Sequence, residues 1–149
     1  MQTIFVLNGP NLNLLGIREP HLYGTTTLAQ IEQRCQSVAA SHALGLSFRQ
    51  TNHEGVLVDW VHEAREQAAG IVINPAGYSF SSIALLDALK ASGLPVVEVH
   101  ITNIHQREKL YRNSLVSKAA MGVICGLGPA GYTAAISALA EHLAQSARA

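Results

Sequence analysis

Residues 3–10 read TIFVLNGP, a continuous apolar run that ends at an Asn-Gly-Pro stop signal. A short run rich in β-branched and aromatic residues, without polar alternation, is typical of a strand buried on both faces of a parallel sheet. Apolar character and Gly or Pro punctuation predict four more strands along the chain, at Leu46–Gln50, Ile71–Ile73, Pro95–Val99 and Met121–Cys125.

Helical segments alternate with these strands. The first opens at Thr27, where Gln30 three residues later completes a capping-box pattern. The others are predicted at Leu57–Ala69, from Ser81 or Ser82 to Ala91, and at Ala130–Ala144. This alternation predicts right-handed βαβ units. We therefore expect a single domain over residues 1–149, an α/β fold of the flavodoxin-like, doubly wound type, with five parallel strands in the order 2-1-3-4-5.

Composition narrows the classes of partner. Charged residues make up 13% of the chain and the formal net charge is zero, against a typical charged fraction of about 25%. The sequence has no run of Lys and Arg, which argues against nucleic acid or an anionic membrane as a partner. A surface so poor in charge favours self-association, since the centres of protein interfaces are depleted of charge.

Two cysteines, Cys35 and Cys125, lie in apolar settings and are predicted to be buried free thiols rather than a disulfide framework. The strand begins directly after Met1 and Gln2, without the basic region of a secretory signal. No apolar run reaches the roughly 18 residues of a spanning helix. The expectation is a cytoplasmic protein that does not insert into a membrane.

Ligands of doubly wound sheets bind outside the carboxyl ends of the strands. The segments that follow the strands, and so the places to search, are 8–23, 52–54, 74–80, 98–103 and 126–131. The last reads GLGPAG and matches the dinucleotide pattern GxGxxG, but no further strand or acid follows at the required distance. Glycines in a tight strand-to-helix turn are the better interpretation.

The turn at Asn74–Ser82 reads NPAGYSFSS and precedes a predicted helix. Backbone N–H groups around Gly77, before a helix N-terminus, are suited to an anion. The simpler alternative is that Ser81 or Ser82 only caps the helix. One strand further on, alternation puts Glu98 and His100 on the same side of their strand. A carboxylate that orients a histidine and holds its proton is one explanation, and a satisfied core pair is the other.

The first loop contains Arg18 and Tyr23 within GIREPHLYG, residues 16–24. A free tyrosine ionises only at a pH of about 10, but a guanidinium within a few Å favours the phenolate. Tyr23 would then be a base suited to a carbon acid, and the Asn11 amide would steady an oxyanion. Together with Glu98 and His100, these groups predict removal of a proton alpha to a carbonyl and loss of a β-hydroxyl as water. The sequence offers no competing arrangement: it has no Ser or Cys nucleophile paired with a histidine, no lysine placed for a Schiff base and no histidines at metal-ligand spacing.

Five blocks carry a resemblance to a known family: LNGPNLNLLGIREPHLYG, TNHEG, INPAGYS, EVHITNIHQRE and GVICGLGPAGY. In this order and over nearly the whole chain, they are similar to type II 3-dehydroquinate dehydratases. The resemblance implies elimination of water from 3-dehydroquinate through an enolate, giving 3-dehydroshikimate without a cofactor. It implies a homo-oligomer, a dodecamer built as a tetramer of trimers. The resemblance does not distinguish a biosynthetic role in the shikimate pathway from a catabolic role in quinate degradation.

The same resemblance assigns roles to individual residues. Tyr23 would be the base, activated by Arg18, on a loop that acts as a lid; Asn11 would bind the water that meets the enolate. His100 would be the acid, oriented by Glu98. The substrate-binding residues would be Asn74, Gly77, Ile101 and Thr102, with Asp87 reaching a neighbouring subunit's site.

Two substitutions depart from the family pattern. Phe80 stands where a substrate-binding histidine is usual, and Tyr111 replaces an arginine that binds ring hydroxyls. Arg112 comes one place late, and in a helix one residue turns a side chain by about 100°, so compensation is not expected. The proton-transfer set is complete while the substrate-holding set is depleted. A weak dehydroquinate dehydratase, a paralogue acting on a less polar cyclic hydroxy-keto acid, and a non-catalytic flavodoxin-like binding module are the alternatives.

Overall fold

The apolar runs form a five-stranded parallel sheet in the order β2-β1-β3-β4-β5, which confirms the flavodoxin-like prediction. The structure is a computed structural model that describes residues 1–148. Each predicted strand is present, with its ends moved by no more than one residue. The strands are β1 (Thr3–Asn8), β2 (Gly45–Gln50), β3 (Gly70–Asn74), β4 (Val96–His100) and β5 (Gly122–Cys125).

Helices connect the strands and cover both faces of the sheet. They are α1 (Pro20–Tyr23), α2 (Leu28–Ser41), α3 (Glu54–Gln67), α4 (Ile83–Ser92) and α5 (Ala130–Arg148). The prediction for α3 was wrong at its start, because the helix begins at Glu54, whose carboxylate is favourable in a first turn. The predicted α5 ended at Ala144, which is too short. The helix continues to Arg148, because its exposed last turn contains good helix formers and extends beyond the core.

Local hydrogen bonds explain where two helices begin. The Thr27 hydroxyl accepts from the Gln30 backbone N–H at 3.2 Å, and the Gln30 side chain accepts from the Thr27 N–H at 2.9 Å, so the capping box is confirmed. Ser82, not the exposed Ser81, caps α4 by accepting from the Leu85 N–H at 2.9 Å. The choice between the two serines is thereby settled.

The segment 9–26, which joins β1 to α2, contains ordered helical turns. Pro20 occupies the first turn of α1, where its fixed φ and missing N–H carry no penalty. Single 3₁₀ turns organise the connections at Leu12–Leu14, Ala76–Phe80, Ile104–Gln106, Lys109–Tyr111 and Val116–Ala119.

Two apolar clusters fill the space on either side of the sheet. One lies under α2 and α5 and includes Val97 and Val99 of β4; the other lies under α3 and α4 and includes Val96. Because side chains alternate along a strand, Glu98 and His100 point to the α3–α4 side. The strand therefore brings a carboxylate and an imidazole to the same face, as predicted.

Both cysteines are free thiols, as expected, but only Cys35 is buried; Cys125 is half-buried at the end of β5. The prediction of two buried thiols was therefore wrong for Cys125. Among residues 1–148, no helix has the length and apolar character needed to cross a membrane.

Candidate active site

A cavity of about 210 Å³ opens at the carboxyl ends of β1, β3 and β4. The predicted site residues that line it are Asn11, Arg18, Tyr23, Asn74, Gly77, His100, Ile101 and Thr102. Glu98 does not reach the cavity, because it is fully buried behind His100. Asp87 is exposed on α4 and is not part of the lining. The fold thus gathers into one cavity the groups that the sequence distributes over the ends of three strands and the segments that follow them.

The acid–histidine pair lies on β4 at the base of this cavity. His100 Nε2 contacts Glu98 Oε2, and both side chains are almost fully buried. An ionised carboxylate only accepts hydrogen bonds, so Nε2 carries the hydrogen and donates it. The other ring nitrogen, Nδ1, is then the one available to a ligand in the cavity.

The environment of Glu98 keeps its carboxyl ionised. Burial alone would raise the pKa of this group, but hydrogen bonds from His100 and Ser117, with a smaller contribution from Ser114, hold the pKa below its usual range. The Ser117 hydroxyl donates to Glu98 Oε1 at 2.7 Å. Each carboxylate oxygen therefore has its own donor, which is what a buried charge requires. Nothing in the sequence pattern had singled out Ser117.

Two guanidinium groups lie near the ring of Tyr23. The Cζ atom of Arg18 is 5.1 Å from the centroid of the Tyr23 ring, and that of Arg107 is 5.7 Å away. The prediction that Arg18 lies close to Tyr23 is confirmed. Arg107, which also lines the cavity, was missed as a site residue although it stands in the quoted EVHITNIHQRE block. Its position on a 3₁₀ connection gave no periodicity from which its direction could be read.

The loop that carries Asn11 is held against the end of β2. Asn11 adopts a left-handed backbone conformation with φ of 69°, and its N–H donates to Asn52 Oδ1 at 3.0 Å. The Gln50 side chain donates to the same oxygen at 3.1 Å and to the Gly9 carbonyl at 3.2 Å. Strained backbone at a ligand site persists only where surrounding contacts fix it, and these amides provide such contacts.

The amide of Asn74 is oriented by a buried network that the sequence did not reveal. Its Nδ2 donates to the Tyr132 hydroxyl at 2.9 Å, and that hydroxyl donates to Asn8 Oδ1 at 2.7 Å. Its Oδ1 accepts from the Ala76 N–H at 3.1 Å and so closes an Asx turn that ends at Ala76, whose φ is 52°. Burial raises the pKa of the Tyr132 phenol above its usual range, so this group stays neutral and donates.

Close backbone contact brings the first loop and the Asn74 turn together. The Gly9 N–H donates to the Asn74 carbonyl at 2.8 Å, and a Cβ at Gly9 would lie 2.3 Å from the Pro75 carbonyl oxygen. Only glycine therefore fits at this position. The contact fixes the relative position of two loops that both line the cavity.

Aromatic rings form the wall next to His100. Phe80 stacks on the imidazole with centroids 6.2 Å apart, and Tyr111 meets Phe80 edge-on at 5.7 Å. The Arg107 guanidinium lies 4.2 Å from the Tyr111 ring centroid. Arg112 is exposed outside the lining, where its Nε donates to the Arg107 carbonyl. It therefore does not replace the arginine that Tyr111 displaces.

The GLGPAG segment forms the turn between β5 and α5, as the turn interpretation predicted. Gly126 and Gly128 have φ values of 86° and 62°, which favour glycine. Their N–H groups donate to the carbonyls of His100 and Ile101 at 3.3 and 3.0 Å. The turn thus fixes the backbone just after the acid–histidine pair. In the part of the chain that the structure describes, no three His, Cys, Asp or Glu side chains are grouped to hold a metal ion.

Comparison with known proteins gives consistent matches over almost the whole chain. The family model described as dehydroquinase class II matches residues 2–140. The 3-dehydroquinate dehydratase of Mesorhizobium japonicum is 58% identical over 144 residues, which cover 96% of this chain and 100% of that protein. The 3-dehydroquinate dehydratase 1 of Agrobacterium fabrum is 60% identical over 136 residues, covering 91% of this chain and 94% of that protein.

A solved structure agrees in both fold and sequence. The type II dehydroquinase of Propionibacterium acnes superposes with a TM-score of 0.91 at 43% identity, covering 95% of this chain and 97% of that one.

Proposed function

Because the chain belongs to the dehydroquinase class II family and is a dehydratase, we propose that it converts 3-dehydroquinate to 3-dehydroshikimate with Tyr23 as the base and His100 as the acid. The observation that carries this assignment of roles is the single cavity lined by both side chains. Tyr23 has two guanidinium groups near its ring, and His100 is paired with a buried carboxylate.

In the first step, the Tyr23 phenolate removes a proton from the carbon alpha to the ketone, and the C–H electron pair moves into an enolate. The guanidinium groups of Arg18 and Arg107 lie near this ring and place positive charge beside the base. The Asn11 amide, which also lines the cavity, steadies the enolate oxygen through a bound water.

In the second step, the enolate re-forms the ketone and expels the β-hydroxyl, which leaves as water after taking a proton from His100. The proton comes from Nδ1 of the imidazolium, because Nε2 is engaged by Glu98. The ionised Glu98 carboxylate stabilises this imidazolium and fixes the plane of its ring. After product release, the proton removed by Tyr23 returns through solvent to His100. The cycle uses only acid–base groups and hydrogen bonds.

The remaining polar groups of the cavity hold the substrate. The Thr102 hydroxyl and the backbone N–H of Ile101 are assigned to the substrate carboxylate, and Asn74 with the Gly77 backbone to its hydroxyls. The Asn74 amide keeps one N–H for this purpose, since Nδ2 carries two hydrogens and only one is donated to Tyr132.

We also propose that the active form is a homo-oligomer, with the dodecamer of the family as its expected size. Large apolar side chains are exposed on several elements, among them Ile17, Ile83, Leu110, Met121 and Leu127. Asp87 is exposed on α4, in keeping with a role toward a neighbouring subunit's site. Light scattering coupled to size exclusion measures the oligomer number, and a monomer would contradict the proposal.

A second candidate substrate is a less polar cyclic hydroxy-keto acid. The observation that favours it is the aromatic wall of Phe80 and Tyr111, which offers a ring face and one hydroxyl where the family offers a histidine and an arginine. The same base and acid would act on such a substrate. A non-catalytic binding module is no longer an alternative, because the chain is a dehydratase.

The test is to incubate the purified protein with 3-dehydroquinate and to follow the ultraviolet absorbance of the conjugated product. Tyr23→Phe and His100→Ala should each abolish turnover. Tyr78→Phe and His105→Ala are matched controls, because they make the same chemical changes outside the cavity lining, and both should retain it.

Absence of turnover at high substrate by a natively folded protein would overturn the assignment to 3-dehydroquinate and favour the less polar substrate. Full activity of Tyr23→Phe would overturn the assignment of the base.

A further inference from the structure

The Ser117 hydroxyl contacts the buried Glu98 carboxylate but takes no part in the proposed proton transfers. The hydroxyl donates to Glu98 Oε1 at 2.7 Å, on the carboxylate oxygen opposite the one that His100 engages. Glu98 is fully buried, so its two oxygens depend on protein donors alone. The three residues form a continuous chain of hydrogen bonds from the 3₁₀ turn Val116–Ala119 to the imidazole in the cavity.

We infer that Ser117 is a positioning residue for the acid, holding the Glu98 carboxylate ionised and in the rotamer that orients His100. This inference rests on the proposed role of His100. Without the hydroxyl, Oε1 would be a buried charged atom without its strongest donor. The carboxylate would then rotate or bind a proton, and in either case the imidazole would lose its partner.

The segment that carries Ser117 is fixed at both ends. The Leu115 N–H donates to the Ser79 carbonyl at 2.8 Å, and the Met121 N–H donates to the Val96 carbonyl at 2.7 Å. Val116, between them, is fully buried. A donor that must hold a carboxylate through many turnovers needs such a rigid support. Through Ser79, the same segment is joined to the turn that places Phe80 against His100.

The groups around the carboxylate leave Ser117 and His100 as its main partners. Directly opposite Glu98 in the neighbouring strands are Ile73 and Val123, which do not titrate. Lys118, on the same turn as Ser117, is exposed. The Ser114 hydroxyl is buried nearby and has no hydrogen-bond partner of its own within residues 1–148. It adds a smaller share to the lowering of the carboxyl pKa.

The test compares Ser117→Ala with Ser117→Thr, which keeps the hydroxyl. A hydrogen bond to a buried charge predicts, for Ser117→Ala, a roughly 10-fold or greater fall in kcat with KM changed by less than about two-fold. Removing a donor to the ionised carboxylate makes the acid–histidine pair bind protons more readily. The acid limb of the pH–rate profile should therefore move to higher pH, and Ser117→Thr should restore both kcat and the limb.

Ser92→Ala is the matched control. Ser92 is also buried, and its hydroxyl donates to the Leu89 carbonyl at 2.7 Å at the end of α4, away from the cavity. It should lower the stability but leave the acid limb in place. A Ser117→Ala variant with the wild-type acid limb would overturn the inference, and so would a Ser92→Ala variant that shifts the limb equally.

A measurement independent of turnover separates this inference from the proposed function. The ¹³C resonance of the Glu98 carboxyl, assigned by its loss in Glu98→Gln, should titrate at higher pH in Ser117→Ala than in the wild type. If this shift appears in a protein that does not act on 3-dehydroquinate, the effect of Ser117 on Glu98 is confirmed, while the assignment of 3-dehydroquinate as the substrate is overturned. An unchanged midpoint overturns the role of Ser117 whatever the activity.

Discussion

The ring of Phe80 stacks on the imidazole of His100, with centroids 6.2 Å apart and planes inclined by 27°. The stack limits rotation of the imidazole and excludes water from one of its faces, while Glu98 holds its Nε2 edge. The imidazole of the proposed acid, His100, is therefore held in a fixed orientation. The same ring, however, occupies wall area where a polar side chain would bind substrate hydroxyls, so orientation of the acid is gained at the expense of substrate contacts.

The aromatic wall predicts a defect that substitution should repair. Phe80→His and Tyr111→Arg should each raise kcat/KM for 3-dehydroquinate by about 10- to 100-fold, mainly through a lower KM, because each new charge-assisted hydrogen bond is worth roughly 1.5–3 kcal/mol, and the double variant should gain about 100-fold or more. Steady-state kinetics on both single variants and the double variant give the coupling between these contacting rings. No gain in the double variant would show that the wall does not limit binding.

The Tyr132 hydroxyl is predicted to be a structural group as well as a support for the site. Tyr132→Phe leaves Oδ1 of Asn8 and one Nδ2–H of Asn74 buried without partners, which should lower the free energy of unfolding by about 1–3 kcal/mol. Tyr78→Phe is the control, since its exposed hydroxyl donates to the Asn52 carbonyl at 2.8 Å and its loss should cost less. Urea unfolding measures both. Equal losses of unfolding free energy in the two variants would mean that the buried network contributes no more to stability than an exposed hydrogen bond.

The lowered pKa of Glu98 predicts how stability depends on pH. A carboxyl whose pKa is lower when folded stabilises the protein above the unfolded value of about 4.3, and this contribution is lost as the pH falls through the lower folded value. Between about pH 5 and pH 3, the free energy of unfolding should therefore fall less steeply in Glu98→Gln than in the wild type. Glu108→Gln, at an exposed site, should follow the wild-type slope. Parallel slopes for Glu98→Gln and the wild type would contradict the lowered pKa.

Residues in regular elements could be placed from the sequence for a physical reason. The strand at 96–100 fixes side-chain direction by its two-residue period, so the pairing of Glu98 with His100 follows once the strand is recognised. Likewise, the carboxyl ends of parallel strands share one edge, which brings Asn11, Asn74 and His100 to one cavity.

The supporting residues could not be placed in this way. Ser117 lies in a short 3₁₀ turn and Arg107 directly follows another, and in such connections no period relates one side chain to the next. Tyr132 lies on a helix, and its apolar ring fits the helical pattern, but that pattern does not indicate which polar groups its hydroxyl meets beneath the sheet. Such contacts depend on tertiary packing, so they became visible only in the structure.

The two thiols are predicted to differ in reactivity. Burial, with a smaller effect of the nearby Glu32 charge, raises the pKa of Cys35 to about 12, so at pH 8 only about one molecule in ten thousand carries that thiolate. Cys125 is half-buried. A disulfide reagent at pH 8 should label one thiol per native chain and two in denaturant. Cys125→Ser should abolish native labelling, whereas persistence of that label would place the reactive thiol at Cys35.

Arg107 is predicted to assist the base although the sequence pattern gave it no role. Its Cζ lies 5.7 Å from the Tyr23 ring centroid, so a positive charge lies beside the proposed base. Arg107→Met should therefore lower kcat by about 10-fold or more, whereas Arg107→Lys, which keeps the charge, should lower it less. Arg112→Met removes an exposed guanidinium from the same connection and should leave kcat within about two-fold. Equal losses of kcat in Arg107→Lys and Arg107→Met would assign Arg107 to substrate binding or packing instead of to the charge beside the base.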